Sequence, residues 1–270
     1  MDELGGPVWE RIQAIERAYH ARKQPGPTLE IKLVYWRRIL EAVRSEGVAV
    51  GSDSRVLDMG CGGTSLLLAL EQGRLTGVDP LMEFYLDKFP SLAGAPVTWL
   101  SGTAEAFRSS TPFDVVFLIN ALDHVRSPAR AALNLSRLVA PGGHLVVVLN
   151  AHTTRVARRY FALFHRLIDP PHPHQIHRDD LPAWFPELRL VEQQDIDHLW
   201  LDLDARYQAE ALRPAGPESH CLAGMGAKAL RVPLLAARLL GHRPVHRRQP
   251  NDRPLVATHL FLFRRELQRS

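Results

Sequence analysis

Two acidic side chains flank a glycine-rich turn in the first third of the chain. Asp58 follows the apolar residues 56–57, which suit a buried parallel strand, and the turn Gly60–Gly63 comes next. Its glycines permit positive φ angles and let a ligand approach the main chain closely. Asp79 lies 19 residues after Gly60, where a carboxylate can accept both hydroxyl protons of a ribose. The spacing predicts a site for a nucleoside ligand.

Two residues help to separate the classes of nucleoside ligand. The dinucleotide fingerprint has Gly or Ala at its last position, where this chain has Ser65. Asp58 is a poor neighbour for a pyrophosphate but a good one for a cationic amino group. The pattern Asp-x-Gly-x-Gly with the downstream Asp79 is similar to the first two motifs of class I S-adenosylmethionine-dependent methyltransferases. The resemblance implies S-adenosylmethionine as the cofactor. A nicotinamide-dependent oxidoreductase is the competing interpretation, and Asp58 and Ser65 argue against it.

Two later segments resemble the same family. Residues 113–120 resemble its fourth strand, which often opens with Phe-Asp-x-Val, and residues 138–148 resemble its helix, Leu-x-Pro-Gly-Gly turn and fifth strand. Pro141 stops the helix, and the two glycines after it allow the chain to reverse into the strand. Four family-like segments thus follow in the expected order over residues 54–149.

The resemblance implies a cofactor site built at the ends of the strands. Backbone amides of the glycine turn would pass under the methionine part of the cofactor, Asp58 would organise that end, and Asp79 would hold the ribose. Leu81 or Met82 would lie against one face of the adenine. The implied cofactor-binding residues are Asp58, Gly60, Cys61, Gly62, Asp79, Pro80, Thr103, Ala104, Glu105, Asn120 and Ala121.

One position departs from the family pattern. Thr103 stands where the family commonly has the Asp that recognises adenine. The adenine amino group would then meet a hydroxyl, a backbone carbonyl or Glu105. Asn120 and Ala121, at the tip of the fourth strand, are expected near the sulfonium and its transferable methyl group.

Asp123 and His124 follow the fourth strand and are the candidate catalytic residues. Methyl transfer to a hydroxyl is helped by removal of its proton, and an imidazole titrates near neutral pH. His124 is therefore the better candidate for the base. The alternative is that His124 packs at a helix start, with Asp123 as the cap of that helix.

A proline-rich loop contains His172, His174 and His177, with His165 upstream. Imidazole groups can hold zinc or another divalent ion. A loop, however, lacks the helical register that would bring such ligands together. We therefore predict no metal site, and expect His174 or His177 to cap the following helix or to contact the methyl acceptor.

The apolar segments alternate between strand and helix patterns, which favours a parallel sheet covered on both faces. The predicted fold class is α/β, a Rossmann-like class I methyltransferase fold with a seven-stranded, mostly parallel sheet. By resemblance the last strand runs antiparallel between the fifth and the sixth. Strands are predicted near residues 54–59, 74–78, 96–100, 113–119, 143–149, 187–193 and 257–263. Helices are predicted at 7–23, 29–46, from Leu66 onward, from 150 to about 166, and at 179–184.

The predicted domain organisation has four parts. They are an N-terminal helical cap (1–50), a cofactor-binding core (51–194), an insertion (195–256) and the final strand with its tail (257–270). The insertion contains Trp200, Tyr207, an apolar run at 232–240 and a basic segment at 243–253. We expect it to form a lid over the acceptor. The alternative is a surface elaboration or an oligomer contact.

The composition suits one large domain with additions: 270 residues, of which 46% are hydrophobic. No stretch approaches the roughly 18 apolar residues of a membrane span, and the start lacks the pattern of a secretory leader. The two cysteines, Cys61 and Cys221, indicate no disulfide framework. We expect a cytoplasmic protein without membrane attachment.

The net charge of +4 is too small to identify a nucleic-acid-binding protein. Asn120–Asp123 differs from the Asn/Asp-Pro-Pro-aromatic motif of enzymes that methylate base amino groups. We therefore expect methyl transfer to oxygen, nitrogen or carbon of a small molecule, and an anionic acceptor would suit the arginines of residues 155–166. The alternatives are methylation of RNA or another macromolecule, and a family member that binds the cofactor without turnover. The acceptor atom and the oligomeric state stay open.

Overall fold

The computed structural model describes residues 3–168, 172–213 and 255–267. Most of the insertion predicted at 195–256 lies outside these residues, including the apolar run at 232–240 and the basic segment at 243–253. Cys221 and the side chains of His165 and Arg166 also lie outside them.

The described chain forms one seven-stranded sheet. Its order is β3-β2-β1-β4-β5-β7-β6, and the first five strands in this order are parallel to one another. The last strand pairs antiparallel with both β5 and β6, as expected from the resemblance. The predicted fold class is confirmed. The strands are β1 (Arg55–Met59), β2 (Arg74–Asp79), β3 (Val97–Ser101), β4 (Phe113–Ile119), β5 (Val139–His152), β6 (Arg189–Asp195) and β7 (Val256–Arg264).

Apolar side chains cover both faces of this sheet. Because successive side chains of a strand point to opposite faces, Val115 and Phe117 of β4 pack in one cluster, while Val116 and Leu118 pack in the other. The described helices are α1 (Gly6–Ala21), α2 (Pro25–Ser45), α3 (Met82–Lys88), α4 (Pro128–Leu138), α5 (Arg155–Ile168) and α6 (Leu201–Arg206). Among the described residues, no helix combines the length and apolar character needed to cross a membrane.

The long helix α2 packs directly on the sheet. Ile31, Ile39 and Val43 are buried in the same cluster as Val56 of β1 and Phe117 of β4. The helix begins at Pro25, four residues earlier than predicted, because prolines in a first turn lack only N–H groups that would have no helical partner.

The helix predicted after the glycine turn is wrong. Two short 3-10 helices, Gly62–Thr64 and Leu66–Ala69, stand there, and Leu70 already has an extended backbone. Ser65 does cap the second one by accepting a hydrogen bond from the amide of Leu67. The physical reason is that α2 already covers this face of the sheet, and Leu66 and Leu67 are buried in its cluster.

The segment around the Pro-Gly-Gly sequence is more extended than predicted. Helix α4 ends at Leu138 and β5 begins at the next residue, so Pro141–Gly143 lies within the strand. Gly142 has φ +81°, and the pairing register with β4 shifts between Phe113 and Val115. At its other end β5 continues to His152, which delays the start of α5 to Arg155.

Candidate functional site

The glycine turn is fixed between β2 and the end of β4. The amides of Gly60 and Cys61 donate hydrogen bonds to the carbonyl oxygen of Val78, at 2.7 and 3.3 Å. Gly60 has φ +72°, and a Cβ atom there would lie 2.5 Å from the Cβ of Ala121. Position 60 therefore requires glycine both for its backbone angle and for the close approach of β4.

Asp79 lies at the tip of β2 and faces this turn. Its carboxylate accepts hydrogen bonds from the amides of Gly62 (3.0 Å) and Leu81 (2.8 Å). The residue is only 7% exposed, and burial raises its pKa to about 6. A ligand hydroxyl that donates a hydrogen bond to this oxygen pair would offset part of the burial cost.

Asp58, in β1, is the second buried acid beneath the turn. It is 2% exposed and accepts a 2.6 Å hydrogen bond from the hydroxyl of Ser65. Burial raises its pKa to about 7, more than the Ser65 hydrogen bond lowers it. A cationic group placed above the turn would favour the charged form of Asp58.

Both acids line one cavity of about 1270 Å³. Pockets for a single small ligand are usually about 300–1,000 Å³, so this cavity has room for two ligands. Its walls come from the glycine turn, the end of β4, helices α1 and α2, and the segment Trp200–Gln208. The combination of a glycine turn, two desolvated carboxylates and this volume fits a nucleoside with a cationic amino-acid tail.

The end of β4 contributes a strained residue to the cavity. Asn120 has φ +49°, the one positive value among the described residues other than glycine, and its amide donates a 2.7 Å hydrogen bond to the carbonyl of Val148. Such backbone angles cost free energy and are often found at functional sites. Asn120 and Ala121 both line the cavity.

His124 lies among acidic and imidazole groups from three parts of the chain. Its Nδ1 lies 3.5 Å from a carboxylate oxygen of Glu16 in α1, and its Nε2 lies 3.8 Å from one of Asp123. The His172 ring lies 4.6 Å from the His124 ring, and its Nε2 is 3.8 Å from Asp123. Among the described residues, neither Oδ1 of Asp123 nor Nδ1 of His124 has a hydrogen-bond partner.

Asp123, His124 and His172 could together hold a metal ion, since one ligand atom from each lies within 4.8 Å of the others. Their types suit zinc or a similar divalent ion. The sequence predicts no metal site, because a loop lacks the register to bring its own histidines together. The residues that His172 meets here, Asp123 and His124, instead follow β4.

The chain that forms this site is similar to a family of known proteins. A family model described as a methyltransferase domain matches residues 28–190, which is more than half of the chain. The chain belongs to the class I S-adenosylmethionine-dependent methyltransferase family. The ubiquinone biosynthesis O-methyltransferase of Vibrio cholerae serotype O1 (strain M66-2) is 36% identical over 99 residues, which are 34% of this chain. The chain thus matches only 40% of the length of that curated relative.

Solved structures agree on the architecture of this methyltransferase. The YcgJ protein of Bacillus subtilis has a TM-score of 0.55 and 17% identity, and the match covers 84% of this chain and 98% of that one. The [4+2]-cyclase SpnF has a TM-score of 0.55 and 16% identity, with 85% and 80% covered. These likenesses show the fold alone, and the cyclase shows that the fold also carries other chemistry.

Most of the residues implied for the cofactor line the methyltransferase cavity. Of the two candidates for the adenine face, Leu81 lines it, whereas Met82 is buried in the apolar cluster behind α3. All eleven residues of the implied cofactor-binding set line the cavity: Asp58, Gly60, Cys61, Gly62, Asp79, Pro80, Thr103, Ala104, Glu105, Asn120 and Ala121.

Glu105 has a structural partner as well. One carboxylate oxygen accepts hydrogen bonds from the amides of Arg126 (2.7 Å) and Ser127 (3.0 Å), just before α4. Thr103 lines the same cavity, and its backbone carbonyl accepts hydrogen bonds from the amides of Ala106 (3.1 Å) and Phe107 (2.9 Å).

The two other loop histidines lie away from the cavity. Nε2 of His174 donates a 2.8 Å hydrogen bond to the carbonyl of Val125, and burial lowers the pKa of His174. His177 accepts a hydrogen bond from the amide of Asp179 and so caps the 3-10 helix Arg178–Trp184. Among the described histidines of this loop, His172 is the one that lines the cavity, and its ring packs against that of His124.

Several polar cavity residues of the N-terminal helical region were not predicted from the sequence. Glu16 and His20 lie on α1, Lys23 follows the C-terminal end of that helix, and Lys32 lies on α2. His20 covers the glycine turn, since its Cε1 lies 3.7 Å from the position of a Cβ at Gly62. The sequence signal for the α1 pair was the i, i+4 spacing of Glu16 and His20, which indicates one helix face.

Proposed function

We propose that this methyltransferase transfers a methyl group from S-adenosylmethionine to an oxygen atom of a small-molecule acceptor bound in the same cavity. The observation that carries the proposal is the pair of buried acids, Asp58 and Asp79, on either side of a glycine turn that forms one wall of the cavity. Oxygen is favoured because curated relatives that match a third of the chain are named O-methyltransferases, and because His124 would provide a base.

The roles proposed for the cofactor end follow from the contacts of each residue. Asp79 would accept the ribose hydroxyl protons, because its oxygens already converge on the amides of Gly62 and Leu81 at the cavity wall. Asp58 would stabilise the ammonium group of the methionine part electrostatically, since it is buried and its hydrogen bonds with Ser65 and the Leu66 backbone only partly offset the burial. When bound, S-adenosylmethionine supplies an electrophilic methyl group on a sulfonium. Transfer of that methyl group leaves a neutral thioether.

His124 would receive the proton of the acceptor hydroxyl on Nε2 or Nδ1. Glu16 would orient the ring from one side and Asp123 from the other, and both carboxylates would stabilise the imidazolium that forms. Helix α1 and residues 200–208 would help to exclude water from a bound ligand, because both line the cavity. The large cavity allows the acceptor and the cofactor to be held together, which aligns the reacting atoms.

A calorimetric titration with S-adenosylhomocysteine tests the cofactor assignment, with NAD as the comparator. We expect selective micromolar binding of the sulfur nucleoside. Asp79→Asn should weaken it by about 10- to 100-fold, because charge-assisted hydrogen bonds to the ribose are lost. Asp53→Asn is the matched control, since Asp53 is 90% exposed and pairs only with Arg74 in the described chain.

Preference for NAD, or unchanged affinity in Asp79→Asn, would contradict the cofactor assignment. If the sulfur nucleoside binds, a screen of hydroxylated compounds with labelled methyl donor follows. Absence of transfer to any acceptor class would then favour a family member that binds the cofactor without turnover.

A further inference from the structure

Lys32 places its ammonium group among aromatic rings of the cavity. Its Nζ lies 4.5 Å from the ring centroid of Trp200, 4.9 Å from that of Trp36, and 5.2 and 5.6 Å from those of Tyr35 and Tyr207. An ammonium carries three N–H donors. Within the residues that the structure describes, no hydrogen bond or ion pair to a carboxylate or carbonyl oxygen satisfies them.

Lys23 is a second lysine in the same cavity. It is 6% exposed, and its Nζ lies 4.7 Å from the ring centroid of Tyr19 and about one hydrogen-bond length, 3.1 Å, from the His20 ring. Glu16 is near enough to favour its charge, but no carboxylate of the described chain forms an ion pair with it.

Burial disfavours the charge of both lysines, and the charge of Lys32 further disfavours that of Lys23. Burial lowers the pKa of Lys32 to about 8 and that of Lys23 to about 7, and the charge of Lys32 contributes to the lower value of Lys23. Aromatic faces attract a cation, but this attraction is weaker than the cost of burying a charge without a counter-ion. An anion between the lysines would satisfy the free N–H donors and remove this repulsion.

We propose that the ammonium groups of Lys32 and Lys23 form an anion subsite of the cavity, which receives a carboxylate or phosphate group of a bound ligand. The inference rests on the proposed function, because the subsite shares its cavity with the cofactor site. A cationic ligand group is disfavoured, since Lys32 itself occupies the space between the four rings.

The anionic group has two possible sources, and two arms of one experiment separate them. The variants are Lys32→Met and Lys23→Met, which keep the length of the side chain without its charge. Lys88→Met in α3 is the control, since Lys88 does not line the cavity. Each protein is titrated with S-adenosylhomocysteine, with 5′-methylthioadenosine, which lacks the amino-acid tail, and with inorganic phosphate after saturation with S-adenosylhomocysteine.

If the cofactor carboxylate occupies the subsite, Lys32→Met weakens S-adenosylhomocysteine binding by at least tenfold and leaves 5′-methylthioadenosine binding unchanged. If an acceptor group occupies it, affinity for both nucleosides is kept, and phosphate binding to the saturated protein falls by at least tenfold. Retained binding of 5′-methylthioadenosine also shows that the variant is folded.

Values equal to those of wild type and Lys88→Met in both arms would overturn the anion subsite. Failure of wild type to bind either nucleoside would instead contradict the proposed function. Phosphate is then titrated without nucleoside: a tenfold loss in the lysine variants supports the anion subsite, and equal binding overturns it.

Discussion

The buried acid Asp58 makes the stability of the ligand-free protein depend on pH. Its pKa is raised from 3.8 to about 7, so the folded state holds this proton more tightly than the unfolded state. The stabilising contribution is therefore complete below about pH 3.8, the unfolded value, and is lost as the pH rises through about 7. Asp58→Asn should remove this dependence, because the amide keeps an acceptor for the Ser65 hydroxyl and has no charge.

The magnitude follows from the shift of about three pKa units. At about 1.4 kcal/mol for each unit, the full change in the free energy of unfolding is about 4 kcal/mol. About half of it, about 2 kcal/mol, falls between about pH 5.5 and about pH 7.5. Asp79, whose pKa is raised to about 6, adds a smaller change of the same sign.

Urea denaturation followed by tryptophan fluorescence measures this effect. We compare wild type and Asp58→Asn across that pH range, so that the histidines, which titrate in both proteins, cancel in the difference. We expect Asp58→Asn to gain about 2 kcal/mol relative to wild type as the pH rises. The exposed Asp53→Asn is the control for loss of one surface charge. Parallel pH profiles for wild type and Asp58→Asn would refute the assignment of a desolvated, weakly compensated acid beneath the turn.

Three further substitutions give distinct outcomes. Gly63→Ala places a Cβ 2.3 Å from the buried ring of Phe89, so the free energy of unfolding should fall by about 1–3 kcal/mol; an unchanged urea midpoint would contradict this packing. Glu105→Ala removes the acceptor of two backbone amides and should cost about 1–3 kcal/mol in the same assay, whereas a purely ligand-contacting role leaves stability unchanged. His124→Ala should lower kcat by about 100-fold or more with little change in S-adenosylhomocysteine affinity. His144→Ala, in β5 and outside the cavity lining, should keep wild-type activity, and full activity of His124→Ala excludes the base.

The sheet could be predicted from the sequence because its signals are local. Each strand is an apolar run of a few residues, and the glycine turn with Asp79 fixes the connection from β1 to β2 by spacing alone. The family resemblance added the antiparallel position of β7, which no periodicity contains. The same local signal failed after the turn, where Leu66 and Leu67 have a helical composition but pack beneath α2 in 3-10 conformation.

The cavity wall formed by α1, α2 and residues 200–208 could not be predicted, because the residues in contact there are distant in sequence. His124 meets Glu16 across more than a hundred residues, and Lys32 meets Trp200 across a still longer separation. Glu105 reads as a ligand contact from its place after β3, and only the structure shows the amides of the α4 start that it accepts. The positions of such side chains depend on how helices pack over the sheet, which one sequence does not specify.

Helix α2 covers the sheet with one face and lines the cavity with another, so ligand supply and protection from degradation are linked. The buried residues of α2 cover β1 and β4. The indole Nε1 of Trp36 in this helix donates a hydrogen bond to the carbonyl of Thr64 beside the glycine turn. A ligand that contacts α2 stabilises the folded chain by about 2.7 kcal/mol at 100 times its Kd. Local detachment of the helix, which exposes the apolar sheet to proteases, becomes correspondingly rarer. The lifetime of this protein in a cell would therefore report the concentration of its ligand.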